Sequence, residues 1–151
     1  MREAISLAEY AGSLGETPVG ALIVRKSDGK IVGRGYNLRE TLKSPLAHAE
    51  IMALDEASRN LGGWRVLGCD LYVTLEPCPM CAGAIINSRI ERVIYGARDY
   101  KSGSIESVQH MFELPYNHRP EIVSGVLEDE CAGLLSNFFK NLREKKSAEK
   151  D

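Results

Sequence analysis

The segment TLEPCPMC, Thr74 to Cys81, decides how this chain is read. Two cysteines stand at i and i+3, Cys78 directly after Pro77 and Cys81 two residues after Pro79. Such a pair is compatible with a redox couple, half of a structural zinc site, or part of a catalytic metal site. The residues ahead of it, CDLYVTL (69–75), read as a strand, and 79–88 read as a helix. Once a helix starts at Pro79, Cys78 and Cys81 project from one side of it. Pro77 and Pro79 suit the junction, because no amide hydrogen is needed there. A helix N-terminus favours negative charge and lowers thiol pKa, so the spacing builds a two-thiolate clamp. Zinc normally takes four ligands, which leaves two to be found.

Outward from this junction, the chain divides into alternating elements. Residues 2–14 space Ile5, Leu7, Ala8, Ala11 and Leu14 along one face of a helix. VGALIV and KIVGRGYN read as strands joined through Asp28-Gly29, an antiparallel hairpin. A helix runs from about His48 to Asn60 and closes at Gly62-Gly63. RVIYGA and EIVSGV are further strands. Residues 127–143 form an amphipathic helix with Leu134, Leu135, Phe138, Phe139 and Leu142 as its apolar side. Phe138 and Phe139 are assigned to a core or interface rather than to base stacking. Strands alternating with helices imply a sheet covered on both faces.

No repeat or linker interrupts the 151 residues, so we read one domain, with a charged tail (144–151) that frays. The 44% hydrophobic and 26% charged content is that of an ordinary globular protein. No apolar run spans a bilayer and MREAISLAEY lacks a signal-peptide core, so a cytoplasmic protein is expected. Four cysteines in such a chain are thiols or metal ligands before they are a disulfide framework. A formal net charge of −2 means that any nucleic-acid contact must come from a local basic patch.

The remaining candidate ligands are His48, His110, His118, Cys69 and Cys131. PLAHAE places His48 at a second loop-to-helix junction, with Glu50 two residues on. With His48 as third ligand, the fourth position stays open to water, the arrangement of a catalytic zinc site. Glu50 is then placed to move that water's protons without ligating the metal. An ideal helix separates i and i+2 by about 200°, so both side chains reach one pocket only if they straddle the helix start. A redox pair would leave His48 and Glu50 idle, and Cys69 and Cys131 have no partner at chelating spacing for a closed structural site.

His48-Ala49-Glu50 and Pro77-Cys78-Pro79-Met80-Cys81 together resemble the H-x-E…P-C-x-x-C signature of the zinc deaminases that act on bases. Cytidine, cytosine, guanine, riboflavin-pathway and tRNA-adenosine enzymes share that signature. The blocks ETPVGALIV, GRGYN, AHAEIMAL, LYVTLEPCPMCAGAIINSRI, RVIYGARD, NHRPEIVSGVL and ECAGLLSNFFKNLR narrow the choice. They resemble the bacterial tRNA-specific adenosine deaminases, within the cytidine/deoxycytidylate deaminase superfamily, from nearly one end to the other. The resemblance implies a three-layer α/β/α cytidine-deaminase-like fold with a mixed sheet of about five strands. It implies one Zn²⁺ per subunit on His48, Cys78 and Cys81, with Glu50 as general acid and base. The reaction implied is hydrolysis of adenosine to inosine at the wobble position of a tRNA anticodon stem-loop, by a homodimer. Deamination of a free base such as guanine or cytosine is the alternative, and a non-catalytic RNA-binding protein on the same scaffold is a third.

By the same resemblance, Asn37 and the backbone of Ala49 hold the base edge, while Asp99, Asn117 and His118 lie along the RNA path. Each also has a plainer role open to it. Asn37 can serve as a turn residue, Asp99 as a loop ion pair with Arg98, and Asn117-His118 as a turn cap before Pro120. After GARD the chain departs from the family pattern, with Ile105 and Glu106 where small residues are usual. A carboxylate beside a phosphate path weakens binding unless it points away.

Overall fold

The structure, a computed structural model, describes residues 1–150. The first helix, α1 (Arg2–Ser13), buries Ala4, Ile5, Ala8 and Ala11, the stripe expected of a helix lying on a sheet. Strands β1 (Gly20–Arg25) and β2 (Ile31–Tyr36) form the antiparallel hairpin, turned at Gly29 with φ +69°. A single helical turn, α2 (Arg39–Leu42), precedes α3 (Ala49–Leu61), which ends at left-handed Gly62. Then follow β3 (Cys69–Leu75), α4 (Pro79–Ser88), β4 (Arg92–Ala97), a short 3₁₀ turn at Met111–Glu113, β5 (Glu121–Val123) and α5 (Glu128–Glu149).

The sheet order is β2-β1-β3-β4-β5. β1 runs antiparallel to both β2 and β3, whereas β3, β4 and β5 are parallel. Period-two alternation divides the strands between two cores. Ala21, Ile23, Leu71, Val73, Val93 and Tyr95 pack with Ala53 and Leu54 of α3 and Ala82, Ile85 and Ile86 of α4. On the other face α1 covers β1, β2 and β3, and α5 covers β4 and part of β3. This is the three-layer α/β/α arrangement with a mixed five-stranded sheet that the sequence implied.

α3 lies unusually close to the hairpin, and two glycines permit it. A Cβ at Gly33 would stand 2.2 Å from the Ala53 carbonyl oxygen, and one at Gly35 would stand 2.1 Å from that of Ala49. Neither glycine has positive φ, so close approach is the reason for them.

Several boundaries differ from the sequence reading. α5 continues through the charged residues to Glu149, because Glu, Lys and Ala are strong helix formers that need no core. The tail read as frayed is therefore helical as far as that residue, and Asp151 lies outside the described residues. Along α5 only Cys131 is buried, and Phe139 is 42% exposed. EIVSGV yields only three strand residues before Gly125, at φ +76°, turns the chain toward α5. Among the described residues, no helix is long and apolar enough to cross a membrane.

Candidate active site

The metal-ligating candidates come from two helix starts at the same end of the sheet. His48 is the N-cap of α3, with extended backbone (φ −79°, ψ 152°). Cys78 is the N-cap of α4 (φ −74°, ψ 175°), with Pro79 at the first helical position. His48 thus precedes its helix and Glu50 lies in the first turn, which meets the straddling condition set by the sequence. His48 Nδ1 lies 3.6 Å from Cys78 Sγ and 3.5 Å from Cys81 Sγ. Tetrahedral zinc with its usual bond lengths to sulfur and nitrogen separates those donors by about 3.6 Å. Both nitrogen–sulfur distances therefore fit zinc, and all three donor atoms lie within 4.8 Å of one another. The trio is the one such group of His, Cys, Asp or Glu among the described residues, so a fourth coordination position remains for a non-protein ligand. Cys69 and Cys131 are buried elsewhere, the first at the start of β3 and the second facing Gly96.

Proton affinities around the trio reflect its crowding. Cys78 is lowered to about 4, chiefly because the Cys81 thiol donates to it and secondarily through His48. Cys81 is correspondingly raised, by holding the proton it shares with Cys78 and by burial. His48 is raised by its bond to Cys78. The Glu50 side chain is buried, at 4% exposure, and burial pushes its carboxyl up to about 7. A carboxyl near neutrality can both take and return a proton at physiological pH.

These groups open into a cavity of about 570 Å³, within the range that receives a small molecule or a single nucleoside. Asn37, Ala49 and Asp99 line it. Asn37 is also a turn residue. Its Nδ2 donates to the Thr17 carbonyl at 3.1 Å, and the Arg39 N–H donates to its Oδ1 at 3.1 Å. Ala49 is the first residue of α3, where a backbone N–H has no intrahelical acceptor. The Asp99 carboxylate accepts from the N–H groups of Lys101 and Ser102 and from the Ser102 hydroxyl, which closes a local turn in place of the ion pair with Arg98. Asn117 and His118 do not line the cavity. Asn117 is exposed, and His118 Nε2 lies 2.6 Å from the Ile90 carbonyl oxygen.

Sequence reasoning missed several lining residues: Thr17, Arg39, Glu76, Tyr100, Lys101 and Leu135. Phe139, assigned to a core or interface, also faces the cavity. Arg39, Arg98 and Lys101 are exposed at its mouth and make a local basic rim. The departing loop turns inward: Ile105 is buried in the core, and Glu106 accepts a 2.5 Å bond from the buried Tyr95 hydroxyl.

The zinc-binding region of cytidine and deoxycytidylate deaminases matches residues 1–97. The tRNA-specific adenosine deaminase of Bacillus subtilis (strain 168) is 52% identical over 149 residues, 98% of this chain and 91% of its own length. A solved structure from a study of A-to-I editing by tRNA:A34 deaminases at the wobble position superposes with a TM-score of 0.86. It is 44% identical and covers 89% of this chain and 97% of the other. A guanine deaminase from Bacillus subtilis is more distant, with a TM-score of 0.63 and 32% identity over 95% of this chain and 90% of its own.

Proposed function

We propose, starting from the chain's membership of the zinc-binding cytidine and deoxycytidylate deaminase family, that it hydrolyses the wobble adenosine of a tRNA anticodon stem-loop to inosine and ammonia. The observation that carries this is the convergence of a zinc-spaced trio and a buried carboxyl in one nucleoside-sized cavity. His48, Cys78 and Cys81 would hold a zinc ion, which when bound would supply a water acidified toward a pKa of about 7. Glu50 is placed to move both protons of the attacking water: it carries the first to the purine ring nitrogen, then takes the second from the newly added hydroxyl as the carbonyl forms and gives it to the departing amine. The Ala49 N–H and the Asn37 side chain orient the base edge, and the walls exclude bulk water. Atoms balance: one water enters, one ammonia leaves, and a carbonyl replaces the amine.

Support for RNA over a free base comes from the mouth. Arg39, Arg98 and Lys101 can meet phosphates flanking the target nucleotide, and Tyr100, 78% exposed, offers a ring face to a neighbouring base. A nucleotide in a loop is extruded at lower cost than one in a duplex, which suits an anticodon. Asp99 is assigned to the same RNA path. Asn117 and His118 would reach RNA only from outside the cavity, and across a homodimer boundary if the RNA spans two subunits. The enzyme acts in the cytoplasm, where tRNA is modified.

The test is to incubate the zinc-loaded protein with an anticodon stem-loop carrying wobble adenosine, and separately with free guanine, cytosine and adenosine. Inosine in the stem-loop with an equal yield of ammonia is expected. Ammonia from guanine or cytosine alone would transfer the assignment to a free-base deaminase. Sedimentation of the same sample reports the homodimer.

A further inference from the structure

Between Arg98 and Ser107 the chain has no strand or helix, yet it supplies Asp99, Tyr100, Lys101 and Ser102 to the cavity wall. What holds it is Glu76, 2% exposed and two residues ahead of Cys78. Oε1 accepts from the Asp99 N–H at 3.1 Å and from the Ser107 hydroxyl. Oε2 accepts from the N–H groups of Ile105 at 3.4 Å, Glu106 at 2.9 Å and Ser107 at 2.9 Å. Five donors exceed the roughly four acceptor sites of a carboxylate, so none remains for a substrate. The loop backbone presses directly on it, since a Cβ at Gly103 would stand 2.4 Å from Glu76 Cδ. Two backbone bonds complete the attachment: the Ser104 N–H donates to the Pro77 carbonyl at 2.8 Å, and the Glu76 N–H to the Ala97 carbonyl at 2.9 Å.

The loop side of the substrate cavity is thereby fastened to the segment that carries the two cysteines. We infer that Glu76 is a positioning residue for substrate affinity, one that holds the Asp99–Ser102 wall in register with the metal junction. It bonds Asp99 at one end of the wall and residues 105–107 beyond the other, and takes no part in proton transfer. This inference rests on the RNA-deaminase reading, because the wall is argued to receive the nucleotide and its flanking phosphates.

Glu76→Gln tests it with nearly unchanged shape. Its NH₂ group would face amide or hydroxyl hydrogens where an oxygen now accepts them, and a bond to a charged acceptor is lost. The expected result is full zinc content, a KM for the wobble-adenosine stem-loop raised about tenfold or more, and a kcat within about threefold of wild type. Hydrogen exchange at the amides of 105–107 should accelerate in the same sample. Ser107→Ala removes one donor and should move KM in the same direction by less.

If Glu76→Gln fails to fold, Ser107→Ala with an unchanged KM overturns the inference. A folded, zinc-replete Glu76→Gln protein with unchanged KM does the same, as does one that loses kcat at unchanged KM. A wild-type protein inactive on the stem-loop overturns the functional reading and this inference with it.

Discussion

Replacing Gly35 with alanine would add one methyl group at the place where α3 rests on β2. Its Cβ would stand 2.1 Å from the Ala49 carbonyl oxygen, 2.7 Å from the Ala53 nitrogen and 3.0 Å from the Met52 Cβ, against an ordinary contact of 3.4 Å. The first two are backbone atoms, so no side-chain rotation relieves them. The start of α3 must rise by about 1 Å, in a core packed too densely to absorb it silently. Two effects oppose each other. Restricting the unfolded chain favours alanine by about 0.4–1 kcal/mol, whereas overpacking costs about 1–3 kcal/mol. Destabilisation wins. With a thermal midpoint moving about 2–4 °C per kcal/mol at this size, the drop is measurable by calorimetry.

The larger consequence concerns the metal. His48 and Glu50 ride on the displaced end of α3, while Cys78 and Cys81 stay with α4. A shift of about 1 Å between them far exceeds the ~0.2 Å tolerance of zinc bonds. Zinc affinity, measured by competition with a chromophoric chelator, should fall by about tenfold or more, in the range seen when a ligand's support is lost. Gly133→Ala on α5, where nothing lies within 4 Å, is the contrast and should be neutral or stabilising. A Gly35→Ala protein with wild-type zinc affinity and an unchanged midpoint would refute the reasoning.

Other expectations bear on the same site. Glu50→Ala should keep zinc and fold but lose about 10²–10⁴ in turnover, the range for a general acid–base group, and near-wild-type single-turnover rates would remove it from the mechanism. Cys78→Ser or Cys81→Ser should lower zinc content together with activity, and full occupancy in either purified variant, by elemental analysis, would break the ligand assignment. Burial pushes the Glu16 carboxyl up, but Thr41 and the backbone N–H groups of Glu40 and Thr41 outweigh this and hold it below its usual value of 4.5. A folded pKa below the unfolded one gives stability that is present above the unfolded value and lost as pH falls through the folded one. Glu16→Gln should therefore flatten the acid limb of a denaturation series run from neutral pH to about 3, though not abolish it, because Asp28 is also lowered. An unchanged limb would show that Glu16 contributes nothing there.

The sequence made the metal centre legible because each part has a local signature. A proline after Cys78 fixes where α4 begins, and a polar residue ahead of AEIMAL marks the start of α3. β3, α4 and β4 come out to the residue for the same reason: pattern and punctuation agree. Glu76 and Glu16 were invisible, since their roles depend on loops 23–31 and 24–25 residues away folding back onto them. No period or spacing records such a return. Gly33 and Gly35 read as strand residues, and only the resting place of α3 gives them their reason. Leu135 and Phe139 lie on the apolar side that amphipathicity predicts, but periodicity does not say whether a face meets a core or a cavity.

The division of the zinc donors between two helix starts, thirty positions apart, has a consequence for biosynthesis. A chain emerging from the ribosome presents its imidazole long before its thiols, and a lone imidazole is a feeble chelator. Firm metal capture must wait until the third strand has paired with the first and delivered the sulfurs. The ion would then rivet the starts of the third and fourth helices to each other, and stripping it should leave the sheet standing with those two helix ends less firmly joined.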